Sequence, residues 1–169
     1  INVSAQNIKA DADNAGLTLP TGFAALKVAD NVGRTRHIVV NKQGAIYAKL
    51  ERLDNGKGIV VLKDTDGDGR AETKTTFANY TGTGIAIKGN YLYASSNKEV
   101  FKYALNENGD IVDENAAATL VTGLVDKGQH NSKSITLDNA GNIYVNVGAP
   151  SNSCQEKDRT KGSMGMMPC

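Results

Sequence analysis

The chain has 169 residues, 40% of them apolar, which suffices for the core of one ordinary domain. Nineteen basic and eighteen acidic residues leave a net charge of +1, and no basic stretch is interleaved with aromatics, so the electrostatic footprint of a nucleic-acid binder is missing. Apolar runs stop at four or five residues, against the roughly 20 that a spanning helix needs, and no basic amphipathic helix suits a membrane surface, so membrane insertion is not expected.

Eighteen glycines, three prolines, no tryptophan and two histidines describe a turn-rich chain with little room for multi-histidine metal chemistry. The chain opens on Ile1 with no charged start leading into an apolar stretch, as a processed or trimmed polypeptide would. Residues 1–21 are polar and without clear periodicity, and read as a tail or irregular lead-in. GFAALKVAD (22–30) reads as a strand, because it precedes the first hairpin as similar runs precede the later ones.

Three segments share one pattern: RHIVVNKQGAIYAKL from Arg36, TGIAIKGNYLYASS from Thr83 and KSITLDNAGNIYVNV from Lys133. Alternation on both sides of a short Gly/Asn turn predicts three hairpins, each with one buried face. Ile38, Ile85 and Ile135 hold equivalent places 47 and 50 positions apart, the spacing of propeller blades. GIVVLK (58–63) and TKTTFA (73–78) follow the first hairpin, and EVFKYAL (99–105) and AATLVTG (117–123) the second. Each repeat thus holds four strands, as a blade does.

The expected fold is therefore all-β: a β-propeller with a blade over 36–78, a second over 83–123 and a partial third over 133–169, preceded by an orphan closing strand at 22–30. Two and a half to three blades cannot close a ring. Residues 22–169 are accordingly expected to be the N-terminal part of one propeller domain, whose remainder comes from a C-terminal part or, alternatively, a second chain.

Between the outer strands of the first repeat, DTDGDGRAE places Asp64, Asp66, Asp68 and Glu72 at positions 1, 3, 5 and 9, with Gly69 at position 6. This is the ligand rhythm of a calcium loop, in which the carbonyl of Arg70 would add a further oxygen. Position 12 is Thr75 rather than a bidentate glutamate, and the flanks read as strands, so the expectation is a structural Ca2+ and not a regulatory EF-hand. A solvated Asp/Gly turn without an ion is the alternative.

In a propeller, the connections from outer to inner strands share one face near the central channel, so residues 30–37, 79–84 and 124–134 should converge there. The third of these brings together Gln129, His130, Asn131 and Lys133, and the first ends in Arg34, Arg36 and His37. Imidazole is the side chain suited to taking a proton from a hydroxyl near neutral pH while nearby donors hold the oxygen that becomes negative. His130 is placed for that role, and Lys133 with the arginines for an anionic ligand. The alternatives are a hydrogen-bonded structural histidine and solvated cations. Farther on, Cys154 and Cys169 lie fifteen positions apart in a loop-like segment with no CxxC and no histidine nearby. That favours a disulfide in an oxidising compartment over zinc, worth roughly 3 kcal/mol, with two free thiols as the alternative.

The succession LPTGFAALKVAD, RHIVVNKQGAIYAKL, DTDGDGRAE, GTGIA, NYLYASSN, GQHNSKSITLDNAGNIYVNVGAPSNSCQ and a closing PC resembles the soluble pyrroloquinoline-quinone (PQQ)-dependent sugar dehydrogenases, especially their sorbosone dehydrogenase-like branch. The resemblance runs from Leu19 to Cys169 and is most specific between Gly128 and Gln155. It implies a six-bladed, periplasmic or secreted enzyme that oxidises a sugar or sugar-derived aldehyde with hydride transfer to PQQ. It further implies His130 as general base, Gln129 and Asn131 beside it in the substrate pocket, and a Cys154–Cys169 pair. In the glucose-oxidising members a glycine-aspartate step follows the second strand of this hairpin, whereas here it is Gly148-Ala149. The basic residues that grip the quinone lie mostly in blades beyond this segment, so the piece alone is expected to be inactive.

The competing expectation is a non-catalytic ligand-binding or lactonase-like propeller, since a scaffold does not determine a reaction. Lactonase propellers hold a channel metal on acidic ligands, and the loops assigned to the mouth offer only Asp30 and Asp126.

Overall fold

The computed structural model describes residues 8–127, 129–149 and 151–166. Its first sheet has the order β1 (Thr35–Val40), β2 (Ile46–Asp54), β3 (Lys57–Lys63) and β4 (Thr73–Phe77). The second runs β5 (Ile85–Lys88), β6 (Tyr91–Ser95), β7 (Val100–Ala104) and β8 (Ala118–Val121), and the third repeat contributes the hairpin β9 (Ile135–Leu137) and β10 (Ile143–Val145). All neighbours are antiparallel, and the only helical pieces among the described residues are 3-10 turns at Asn14–Gly16 and Glu114–Ala116. The two four-stranded repeats therefore form as expected, and the third is a hairpin followed by an irregular loop.

Burial explains why β2 and β3 read as near-continuous apolar runs rather than alternating ones. Tyr47, Ile59 and Val61 face the second sheet and join Ile85, Leu92, Ala94 and Tyr103 in one core cluster. Ala48, Leu50, Val60 and Leu62 point the other way and are covered by Ala29, Val32 and Ala71. Central strands packed on both faces need apolar side chains at odd and even positions alike. A third cluster, built on Tyr93, Val100 and Ile135, joins the second sheet to the last hairpin. Innermost strands β1, β5 and β9 lie side by side in that order, the blade-on-blade arrangement of a propeller-like domain. Phe77 and Tyr103 meet edge to face across the first seam, ring centroids 5.2 Å apart.

Residues 22–30, expected as a strand, carry no ladder. Strand structure needs a hydrogen-bonded neighbour, and this run has none among the described residues. It is tied instead at single points: Asp11 N–H donates to the Ala25 carbonyl at 2.9 Å and Ala71 N–H to the Val28 carbonyl at 2.9 Å. Cys169 lies outside the described residues, and with it the expected pairing to Cys154. Among the described residues no helix is long and apolar enough to cross a membrane.

One core position breaks the apolar pattern. Lys49 shares the face of Tyr47 and is fully buried at the seam between the sheets. Its Nζ donates to the Tyr80 carbonyl at 2.8 Å and sits 3.9 Å from the centroid of the Tyr80 ring. Burial lowers its pKa from 10.5 to about 7, because a charged amine loses its hydration there. A lysine whose folded pKa is depressed binds fewer protons folded than unfolded between those two values, so stability rises with pH across that window. The urea midpoint is therefore expected to climb from pH 7 to 9, and Lys49→Met, which keeps the stem and removes the amine, is expected to flatten that slope.

Candidate functional site

The expected convergence of the outer-to-inner connections is met by hydrogen bonds that run from one inner strand to the next. His37 Nδ1, on β1, lies 3.3 Å from the Thr83 carbonyl just before β5. Gly84 N–H donates to Ser95 Oγ at 3.0 Å, and that hydroxyl donates to the Lys133 carbonyl at 2.6 Å, just before β9. A Cβ on Gly84 would stand 2.5 Å from the same carbonyl, so the glycine is what lets β9 approach this closely. Thr83 Oγ1 and Asn131 Oδ1 are buried along this line without a hydrogen-bond partner among the described residues.

His130 stands at the end of the line, in the loop before β9. Its backbone lies in the left-handed region at φ 51° and its side chain is exposed. Nε2 is 2.5 Å from Asn152 Oδ1, and Asn152 Nδ2 donates to Gln129 Oε1. Gln129 Nε2 donates in turn to Asp158 Oδ2 at 2.5 Å. Asp158 Oδ1 collects the N–H of Asn152 at 3.1 Å and of Ser153 at 3.2 Å, with the Ser153 hydroxyl at 2.8 Å. Hydrogen bonds from Gln129 first, then Ser153, hold the Asp158 carboxyl below its ordinary pKa against the raising effect of burial.

The other expected pocket residues are placed less openly. Lys133 is fully buried, and its ammonium turns back on its own loop to the Asn131 carbonyl at 2.5 Å. Arg36 is half exposed, its guanidinium 3.9 Å from Glu51. Gln129 faces His130 only through Asn152, and Asn131 turns its carbonyl to Lys133. Asn152, Ser153, Asp158 and Ser95 were missed by sequence reasoning. The density of Asn, Ser and Asp over 151–158 was the available signal, but nothing in the spacing tied that loop to His130. Lys49 was missed as well, although a lysine inside the apolar run of β2 was a signal in the sequence.

The acidic loop does gather: one carboxylate oxygen from each of Asp64, Asp66, Asp68 and Glu72 lies within 4.8 Å of the others. Burial raises the Asp64 pKa, but the N–H groups of Gly67 and Gly69, at 2.6 and 2.8 Å, outweigh it and hold the carboxyl below its usual range. Thr65 N–H does the same for Glu72 from 2.7 Å. The Arg70 guanidinium turns away to the Lys27 carbonyl at 2.9 Å and to Asp11. Thr75, where a bidentate ligand would stand, is paired with Val61 in the ladder of β4.

Residues 17–166 match the model of the TrAA12-like family. No curated protein sequence matches the chain. Among solved structures it is similar to the holo PQQ domain of pyranose dehydrogenase from Coprinopsis cinerea, with 18% identity and a TM-score of 0.64 over 79% of this chain and 32% of that one. It is also similar to the calcium structure of the Trichoderma reesei Carbohydrate-Active Enzymes Family AA12 protein, with 26% identity and a TM-score of 0.59 over 73% of this chain and 31% of that one. The iodide structure of the Trichoderma reesei Family AA12 protein gives 26% identity and a TM-score of 0.53 over 67% and 29%. The chain thus spans about a third of the length of the solved proteins it matches.

Gly148 stands against the back of the histidine: a Cβ there would lie 2.5 Å from His130 Cβ and 2.9 Å from the His130 carbonyl oxygen. Gly148→Ala is therefore expected to displace the His130 loop at a cost of about 1–3 kcal/mol, the usual range for overpacking. In NMR spectra the His130 imidazole resonances should move and those of His37 should not.

Proposed function

The chain belongs to the TrAA12-like family, and from that membership we propose that it is part of a quinoprotein oxidoreductase acting on a sugar or sugar-derived aldehyde, of the sorbosone dehydrogenase type. The observation that carries the reading is His130: an exposed imidazole at the mouth of an inner strand, held through Nε2 by Asn152 and backed by Gly148. An imidazole so anchored at one nitrogen has the other available to take the hydroxyl proton of a substrate. PQQ, when bound, supplies the acceptor for the hydride that leaves the same carbon.

The residues at the mouth suit an anionic cofactor. Arg36 and the buried Lys133 supply positive charge at the starts of two inner strands, and the Thr83 hydroxyl, without a partner among the described residues, can donate to an anion. The likeness to the holo PQQ domain supports this through the fold. The rest of the propeller, beyond the third of the matched length spanned here, would complete the quinone site. A secreted or periplasmic location and a Cys154–Cys169 disulfide belong to the same reading.

Reconstituted with PQQ and calcium, the complete protein is expected to reduce an artificial electron acceptor when given aldoses. His130→Gln should lower kcat by on the order of 10²- to 10⁴-fold, the span of general base catalysis, with quinone binding retained. Bound quinone with no turnover across a broad sugar panel overturns the reading. For the acidic loop we propose a structural Ca2+ held by Asp64, Asp66, Asp68 and Glu72 with the Arg70 carbonyl, supported by four carboxylates already gathered, of which Asp64 and Glu72 are held below their usual pKa range by backbone N–H groups. Calcium at ten times its Kd is expected to stabilise the fold by about 1.4 kcal/mol. Asp64→Asn with Glu72→Gln should abolish that gain in a thermal melt, and an unstabilised wild type would rule the ion out.

A further inference from the structure

Asp158 does not touch His130, yet the bonds between them admit only one direction. Asp158 Oδ1 already accepts from two backbone N–H groups and a serine hydroxyl, and Oδ2 faces only the Gln129 amide. An ionised carboxylate accepts and cannot donate. Gln129 must therefore present its NH2 to Asp158, which turns Oε1 toward Asn152. Asn152 must then present its own NH2 to Gln129, which turns Oδ1 toward the imidazole. An amide oxygen accepts only, so Nε2 has to carry the proton. Amide and imidazole orientations are commonly open to reversal, but here the carboxylate at the far end removes the choice at each link.

We propose that Asp158, Gln129 and Asn152 form a two-amide relay that holds neutral His130 in its Nε2–H form, leaving Nδ1 as the nitrogen that accepts the substrate proton. Nδ1 makes no hydrogen bond among the described residues. The three are positioning residues, and their consequence for turnover rests on the reading of His130 as general base.

The tautomer is read directly from long-range 1H–15N correlation spectra of the complete protein labelled with 15N-histidine, in mildly alkaline buffer, with His130→Gln assigning the signal. The wild type should show protonated Nε2 and bare Nδ1. In Asp158→Asn, Oδ1 still accepts from Asn152 and Ser153, but the new NH2 faces Gln129, so both amides reverse and His130 should switch to its Nδ1–H form. Adding Asn152→Asp places an acceptor-only group on Nε2 again and should restore the original tautomer.

A wild-type Nδ1–H form, or Asp158→Asn with the tautomer unchanged, overturns the relay. Should the single variant fail to fold, the wild type and the double variant decide. With PQQ bound, kcat is expected to fall on the order of 10²-fold in Asp158→Asn with KM little changed, and to recover in the double variant. The expected tautomers without turnover in any of the proteins would support the relay while defeating the proposed reaction.

Discussion

The Ser95 hydroxyl is the joint on which the candidate site depends. It is fully buried, accepts from Gly84 N–H and donates to the Lys133 carbonyl, so one oxygen at the end of β6 ties the starts of β5 and β9 together. A buried hydroxyl with both roles filled is stiff, because leaving either partner unmet costs on the order of 1–3 kcal/mol. The loop carrying Gln129, His130 and Asn131 leaves directly from this joint. Its aim is thus set by the packing of one blade on the next, and not by the loop alone.

The same seam explains the lysine at position 49. Its amine reaches the Tyr80 carbonyl, and Gly82 N–H donates to the Leu50 carbonyl at 3.3 Å, so the connection from β4 to β5 is clamped to the first sheet from two sides. Tyr80 stacks on Phe101 with centroids 4.5 Å apart, and its hydroxyl lies 3.0 Å from that of Tyr103. Burying an amine here carries an electrostatic cost, and the gain is a loop held on the face where His37 and Thr83 meet. Polar groups inside the seams do the orienting while aliphatic ones supply the cohesion.

Charge in the site is organised by hydrogen bonds more than by ion pairs. Lys133 has a carbonyl for its partner, His130 an amide, and Asp158 a set of N–H and O–H donors. Such an arrangement keeps the loop polar without neutralising its charged groups. The ionised Asp158 is exceptional in acting at a distance: its inability to donate is transmitted through two amides to the imidazole.

Much of the fold was legible because the four-stranded antiparallel unit repeats. Three hairpins at near-constant spacing gave the strands of both full sheets and the placing of His130 before an inner strand, since period-2 alternation and turn residues are local properties. The run at 22–30 marks the limit of such reading: local pattern predicts what a segment can pair with, only a neighbour makes it a strand, and the partners expected for this run are not among the described residues. The gathering of Asp64, Asp66, Asp68 and Glu72 was likewise local, spanning nine residues. What tertiary structure alone decided was the company of His130. Asn152 and Asp158 come from a loop more than twenty positions away, Ser95 from the preceding sheet, and Lys133 was turned inward by its own loop. Side chains so distant in sequence meet only after the sheets have packed, and their pairing leaves no period in the sequence.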